Sequence, residues 1–165
     1  MKYYGCLQNR MLENKQFGEI YEGMGATQYL YSDCHAYEVV KVIDQTHVFI
    51  RRVKAIRVDK NGMSDAQDYR FESDPTSPKI ELTKRNGAWY QVHSIEKSIW
   101  EKNAKQWVED GSFNTFESAY NYFKFMSHLT QSQIERVEAG KIVKKFNKFD
   151  GITFGRQEEF FDYTF

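Results

Sequence analysis

Two polar stretches hold most of the residues able to do chemistry. GMGATQYLYSD at 23–33 sets Thr27, Tyr29, Tyr31, Ser32 and Asp33 beside two glycines, where a backbone can come close to a ligand. RVDKNGMSDAQDYRFE at 57–72 is a long polar connection bracketed by Arg57 and Arg70. Taken singly, the first also reads as a tight turn into a strand whose tyrosines pack on a sheet. The second also reads as a solvated hairpin loop with Asp/Asn turn chemistry. Loops carried on a rigid sheet are where binding groups gather, so together they point to a binding site.

Signatures of catalysis and metal binding are sparse. His35, His47, His93 and His128 are scattered, and the sequence has no P-loop, dinucleotide fingerprint, paired CxxC or HExxH. Cys34 and His35 are adjacent, but neighbours on a strand point to opposite faces, and a small buried thiol is the commoner reading of Cys34. No catalytic residue, metal or cofactor is expected. Arg51, Arg52, Lys54 and Arg57 form one basic run, and Lys141, Lys144, Lys145 and Lys148 a second at helical spacing. Against them stands a formal net charge of zero, from 23 basic and 23 acidic residues, which argues against a nucleic-acid partner. A small anionic ligand suits this balance better.

No apolar run approaches the roughly 18 residues that span a bilayer. The opening MKYYGCLQNRMLENK lacks the apolar core of a secretion signal. Cys6 and Cys34 are too few for a disulfide framework and are expected as reduced thiols. These features predict a cytoplasmic protein without membrane contact. The 13 Phe, 11 Tyr and 3 Trp exceed what a core of this size needs, and they supply flat faces for rings or partner chains.

The elements that must position these groups are mainly strands. Residues 36–44 alternate apolar and polar, a turn follows at 44–46, and 47–59 continue with one slip of phase between Ile50 and Val53 that reads as a bulge. DYRFE at 68–72 is a short strand. KIELTKR at 79–85 and AWYQVHSI at 88–95 meet across Asn86-Gly87, a strong hairpin signal. Beyond Ile95 the period becomes helical: a helix ending at Gly111, a second capped by Asn114 with Glu117, and a third capped by Thr130 with Gln133. The third is expected to carry Ile134, Val137, Ile142, Val143 and Phe146, with an interruption or a kink at Gly140. Gly18 closes a brief N-terminal helix or arm, and GITFGRQEEFFDYTF returns to β character. The expectation is a single α+β domain over 1–165. Its core, 19–95 and 151–165, is a mainly antiparallel sheet or partly open barrel, with a helical insertion over 96–150 before the last strands.

The strings GMGATQYLYSD, HAYEVVKV, RVDKNGMSDAQDYRFESDP, LTKRNGAW and FGRQEEFFDYTF resemble a family of small proteins from phages and prophages of Firmicutes. The resemblance covers roughly 19–93 and 151–165, and extends to the Thoeris anti-defence proteins, phage-encoded sponges. It implies sequestration, without degradation, of a cyclic nucleotide immune signal of cyclic ADP-ribose type, with cyclic oligonucleotides at a separate site in some members. The insertion of about fifty residues departs from the short members. For such a ligand, Tyr29, Tyr31, Tyr69 and Phe154 are the candidate faces for adenine. Arg57, Arg70, Arg156 and the backbone around Gly25, Ala26 and Thr27 are candidates for pyrophosphate, and Asp33, Asn61, Gln67 and Asn86 for ribose hydroxyls and base edges. The site is expected where 23–33 meets the final strand, which brings Arg156. An inhibitor that docks directly on a bacterial defence protein, such as a CRISPR effector or nuclease, is the alternative. Tyr122 and Phe125 lie off the core stripe of the second helix, which predicts a homo-oligomer through the insertion.

Overall fold

A computed structural model describes residues 6–163. The chain has an α+β fold: helix α1 (Cys6–Leu12), strands β1 (Gly25–Tyr29), β2 (Cys34–Asp44), β3 (His47–Arg52), β4 (Lys54–Arg57), β5 (Tyr69–Glu72), β6 (Lys79–Arg85) and β7 (Ala88–Ile95), helices α2 (Lys97–Glu109), α3 (Phe116–Met126) and α4 (Gln131–Glu138), then β8 (Val143–Lys148) and β9 (Ile152–Phe154). Among the described residues two compact units result, one of residues 6–92 and 146–163 and one of residues 93–145. No helix among the described residues is long and apolar enough to cross a membrane.

Seven strands form one sheet in the order β8-β7-β6-β3-β2-β1-β9, and every register defined within it is antiparallel. Alternation drives this arrangement: Val39, Val48, Ile50, Leu82 and Trp89 turn inward while their sequence neighbours are mostly more exposed. Asn86 and Gly87 take φ of 49° and 79°, the left-handed pair that a two-residue hairpin demands. A bulge at Val40 shifts the β2–β3 register and adds local twist. The outermost strands β8 and β9 are consecutive in sequence, joined only by residues 149–151, so the sheet must curl until its edges approach. The Phe154 and Trp89 rings, from β9 and β7, accordingly pack 5.1 Å apart, and Tyr37 meets Phe149 at 6.1 Å. No ladder joins β8 to β9, so the barrel stays open.

The phase slip after Ile50 is a change of sheet rather than a bulge. β3 ends at Arg52, Val53 is buried, and β4 pairs with β5 in a separate two-stranded sheet. Near the N-terminus, α1 stops at Leu12, short of Gly18.

In the second unit, Trp100, Val137 and Val143 form a core with Tyr120, Phe123 and Ile134 against them. Thr130 and Gln133 cap α4 reciprocally, as their spacing predicts, whereas α3 is capped by Thr115 rather than Asn114. The third helix is shorter than its apolar spacing suggests. Gly140 takes φ of 80°, and the Lys141 N–H bonds the Arg136 carbonyl at 3.0 Å, a left-handed stop that satisfies the last turn. Ile142 follows the stop, and Val143 and Phe146 lie on a strand, so the four lysines expected as a helical strip do not share a helix.

Candidate functional site

The first polar stretch becomes β1, held between β2 and β9, with Thr27 opposite Thr153. Ala26, Thr27 and Tyr29 are buried there, and the Phe154 ring is enclosed in the core beside Trp89. Gly25 has no room for a side chain, because an added Cβ would lie 2.8 Å from Cβ of Gln157. Thr27 Oγ1 donates to the Arg156 carbonyl at 2.8 Å and accepts from the Glu158 N–H at 3.0 Å. The Tyr29 hydroxyl donates to Glu158 at 2.5 Å, and burial, then Glu158, pushes its pKa upward. The Arg156 guanidinium meets the other Glu158 oxygen at 2.7 Å.

Residues of the second stretch reach the same C-terminal segment. The buried Gln67 donates to the Phe161 carbonyl at 2.7 Å and accepts from the Phe161 N–H at 3.2 Å and the Tyr69 hydroxyl at 2.8 Å. Asp33 accepts from the Asp162 N–H at 2.6 Å. Arg57 forks onto Asp59 at 2.8 and 2.9 Å and donates to the Tyr163 hydroxyl at 3.0 Å. Asp59 also takes the backbone N–H groups of Asn61 and Asp68, and its carboxyl is held well below the usual range by Arg57 first. Glu159 is gripped by both terminal nitrogens of Arg52 at 2.7 and 2.9 Å, by the Ala36 N–H at 2.8 Å, and lies 3.2 Å from His35 Nδ1. Burial opposes its charge, but these partners prevail and lower its pKa to about 2.

The structure therefore brings Thr27, Tyr29, Asp33, Arg57, Gln67, Tyr69 and Arg156 to one segment, 156–163, and spends their polar groups on it or within the cluster. Asn61 instead ties its own loop, donating to the Ala66 carbonyl at 2.8 Å. Arg70 pairs with Glu72 on the surface, and Asn86 occupies the hairpin turn, so neither joins the others. The three arginines of the first basic run are paired as well: Arg51 with Glu38, Arg52 with Glu159 and Arg57 with Asp59. Cys34 is buried and in no disulfide, and the Cys6 side chain lies outside the described residues.

An open cleft of about 410 Å³ lies beside this cluster. Arg10 and Glu13 line it near α1, Gln28 to Tyr31 from β1 and its turn, and Lys148 and Asp150 from the β8–β9 connection. Asn9 anchors α1 to that turn by donating to the carbonyls of Leu30 and Asp33, each at 3.1 Å. Tyr31 is 64% exposed, while Arg10 has no acidic partner among the described residues. Lys148 meets Asp150 at 3.0 Å in an exposed pair that water screens. The cleft thus brings together the Tyr31 ring, the cations of Arg10 and Lys148, the Gln28 amide and the carboxylates of Glu13 and Asp150. Among the described residues, no group of three or more His, Cys, Asp or Glu side chains is placed to hold a metal.

Of the cleft residues, Tyr29 and Tyr31 are legible in sequence, whereas Arg10 falls in a stretch without pattern and Lys148 in an apparent helical strip. The one available signal for Arg10 is its place after an asparagine that pins a turn, which shows only in three dimensions. No protein-family model matches the sequence, and no curated protein or solved structure matches it either.

Proposed function

We propose that this chain binds a small cyclic nucleotide, of cyclic ADP-ribose or cyclic oligonucleotide type, in the Arg10–Tyr31–Lys148 cleft and holds it unchanged. In this reading it is a phage-encoded anti-defence sponge of the host cytosol. The observation that carries the reading is the cleft, whose volume of about 410 Å³ falls within the range of small-molecule sites and which offers an arginine with no acidic partner among the described residues beside an exposed tyrosine ring. Sequestration rather than turnover fits the acids and bases of the 156–163 cluster. Glu158, Glu159 and Asp59 are each bonded to an arginine, and the Tyr29 proton is held by Glu158. The test is to mix the protein with a panel of cyclic nucleotides and then denature it. Intact recovery of a depleted nucleotide supports the sponge, and an altered nucleotide overturns it in favour of an enzyme. No depletion favours direct docking on a bacterial defence protein. Arg10→Ala removes a charge-assisted contact and is expected to weaken binding about tenfold or more.

We also propose that the helical unit mediates a homo-oligomer. Tyr122 packs on Trp107 and Phe113 at 5.6 and 5.3 Å, but Phe125 is 74% exposed, with Phe116, Met126 and Ile99 also open. Light scattering at micromolar concentration should give a multiple of 19.6 kDa. Phe125→Glu should reduce it to the monomer mass, and a wild-type monomer sinks the proposal.

A further inference from the structure

Segment 156–163 is held the way a receptor holds a peptide. Its main chain is read position by position by groups distant in sequence. Gln67 takes both the N–H and the carbonyl of Phe161, Asp33 takes the N–H of Asp162, and the backbone of Cys34 exchanges bonds with Phe160 at 3.1 and 2.9 Å. Pairing an extended chain to a strand end while pockets take alternate side chains is how β-augmentation recognises peptides. The side-chain pockets are equally specific. Phe160 fills an apolar pocket of Tyr29 and Cys34, with Leu12 against it, and the Arg52 fork takes the Glu159 carboxylate. The segment leaves β9 through Gly155, where φ of 95° turns the chain off the strand direction. Beyond that turn, Glu158, Phe161 and Tyr163 are bonded by residues at or before Tyr69, and Arg156 adds a contact to Glu158.

We propose that the groove between the Asp33–Ala36 start of β2 and the Gln67–Tyr69 end of the polar loop is a recognition site for an extended acidic-aromatic peptide. At rest it is filled by the chain's own residues 158–163, and it accepts the same segment from a second copy. Charge and pattern fix the ligand class: a carboxylate for Arg52, an apolar ring in the next position for the Tyr29 pocket, and a free N–H and carbonyl after it for Gln67. The covalently attached segment has the advantage of an effective concentration on the order of millimolar, so exchange with a second copy needs its release.

The probe is a labelled synthetic peptide with the sequence of residues 156–163, beside a scrambled control. Full-length protein carrying Glu159→Ala and Phe160→Ala, which weaken the attached segment and spare the groove, should bind the peptide at least tenfold more tightly than wild type by fluorescence anisotropy. Adding Arg52→Ala should abolish that gain. Absence of binding by this variant, folded by circular dichroism, overturns the proposal. Should the variant not fold, hydrogen exchange on the wild-type protein decides. Millimolar peptide must accelerate exchange at the amides of residues 160–162 relative to those of β3, and unchanged exchange rejects the groove as a site.

Discussion

Glu159 shows how much one side chain can organise. Its carboxylate accepts the Arg52 fork and the Ala36 N–H, so it joins β2, the end of β3 and the C-terminal segment through one charge. With its pKa lowered from 4.5 to about 2, the group binds fewer protons folded than unfolded between those values. Its contribution is therefore fully present above about pH 4.5 and is lost as the pH falls toward 2. Glu159→Gln should lower stability at pH 7, and the deficit should hold down to about pH 4.5 and shrink below it as urea denaturation is repeated down to pH 3. A deficit independent of pH would show that the carboxylate charge contributes nothing.

Among the connecting elements, the turn between β8 and β9 is the least tolerant. Gly151 combines φ of 79° with a backbone contact so close that an added Cβ would run into the Tyr29 carbonyl. Gly140, at φ of 80°, faces open space. Gly140→Ala should cost only the left-handed strain, about 1–2 kcal/mol, whereas Gly151→Ala should exceed about 4 kcal/mol or prevent folding. Chemical denaturation of the two variants makes the comparison, and equal losses would refute it. Turns and caps are also what the sequence states most clearly, because their chemistry is local. Asn86-Gly87 specifies its hairpin, and Thr130 with Gln133 specifies a helix start. Gly140 is ambiguous by itself, since a kink and a stop need the same residue, and the strand beyond it is decided by pairing with a distant partner. The candidate site divides in the same way. Residue types in 23–33 and 57–72 announce polar, aromatic groups, yet their partners lie 94–131 positions away in the chain itself, and no local pattern encodes that.

At the scale of the whole molecule, β1 is the slowest strand to satisfy. One neighbour, β2, follows within a few residues, but the other, β9, pairs Thr27 with Thr153. Non-local pairings pay the loop-closure entropy before they gain contacts. In pulse-labelled hydrogen exchange during refolding, amides of the β2–β3 and β6–β7 hairpins should be protected before those that join β1 to β9. Simultaneous protection would contradict that order.

The same pairing has a meaning during synthesis. While the ribosome works from β2 through β8, the outer edge of β1 has no partner, and an unpaired strand edge invites association with other chains. β9 and the segment that follows it emerge only after β2 through β8 have been made. The nascent protein is thus at its most aggregation-prone just before β9 emerges, and a chaperone that shields strand edges should matter more to its yield than to its stability once folded.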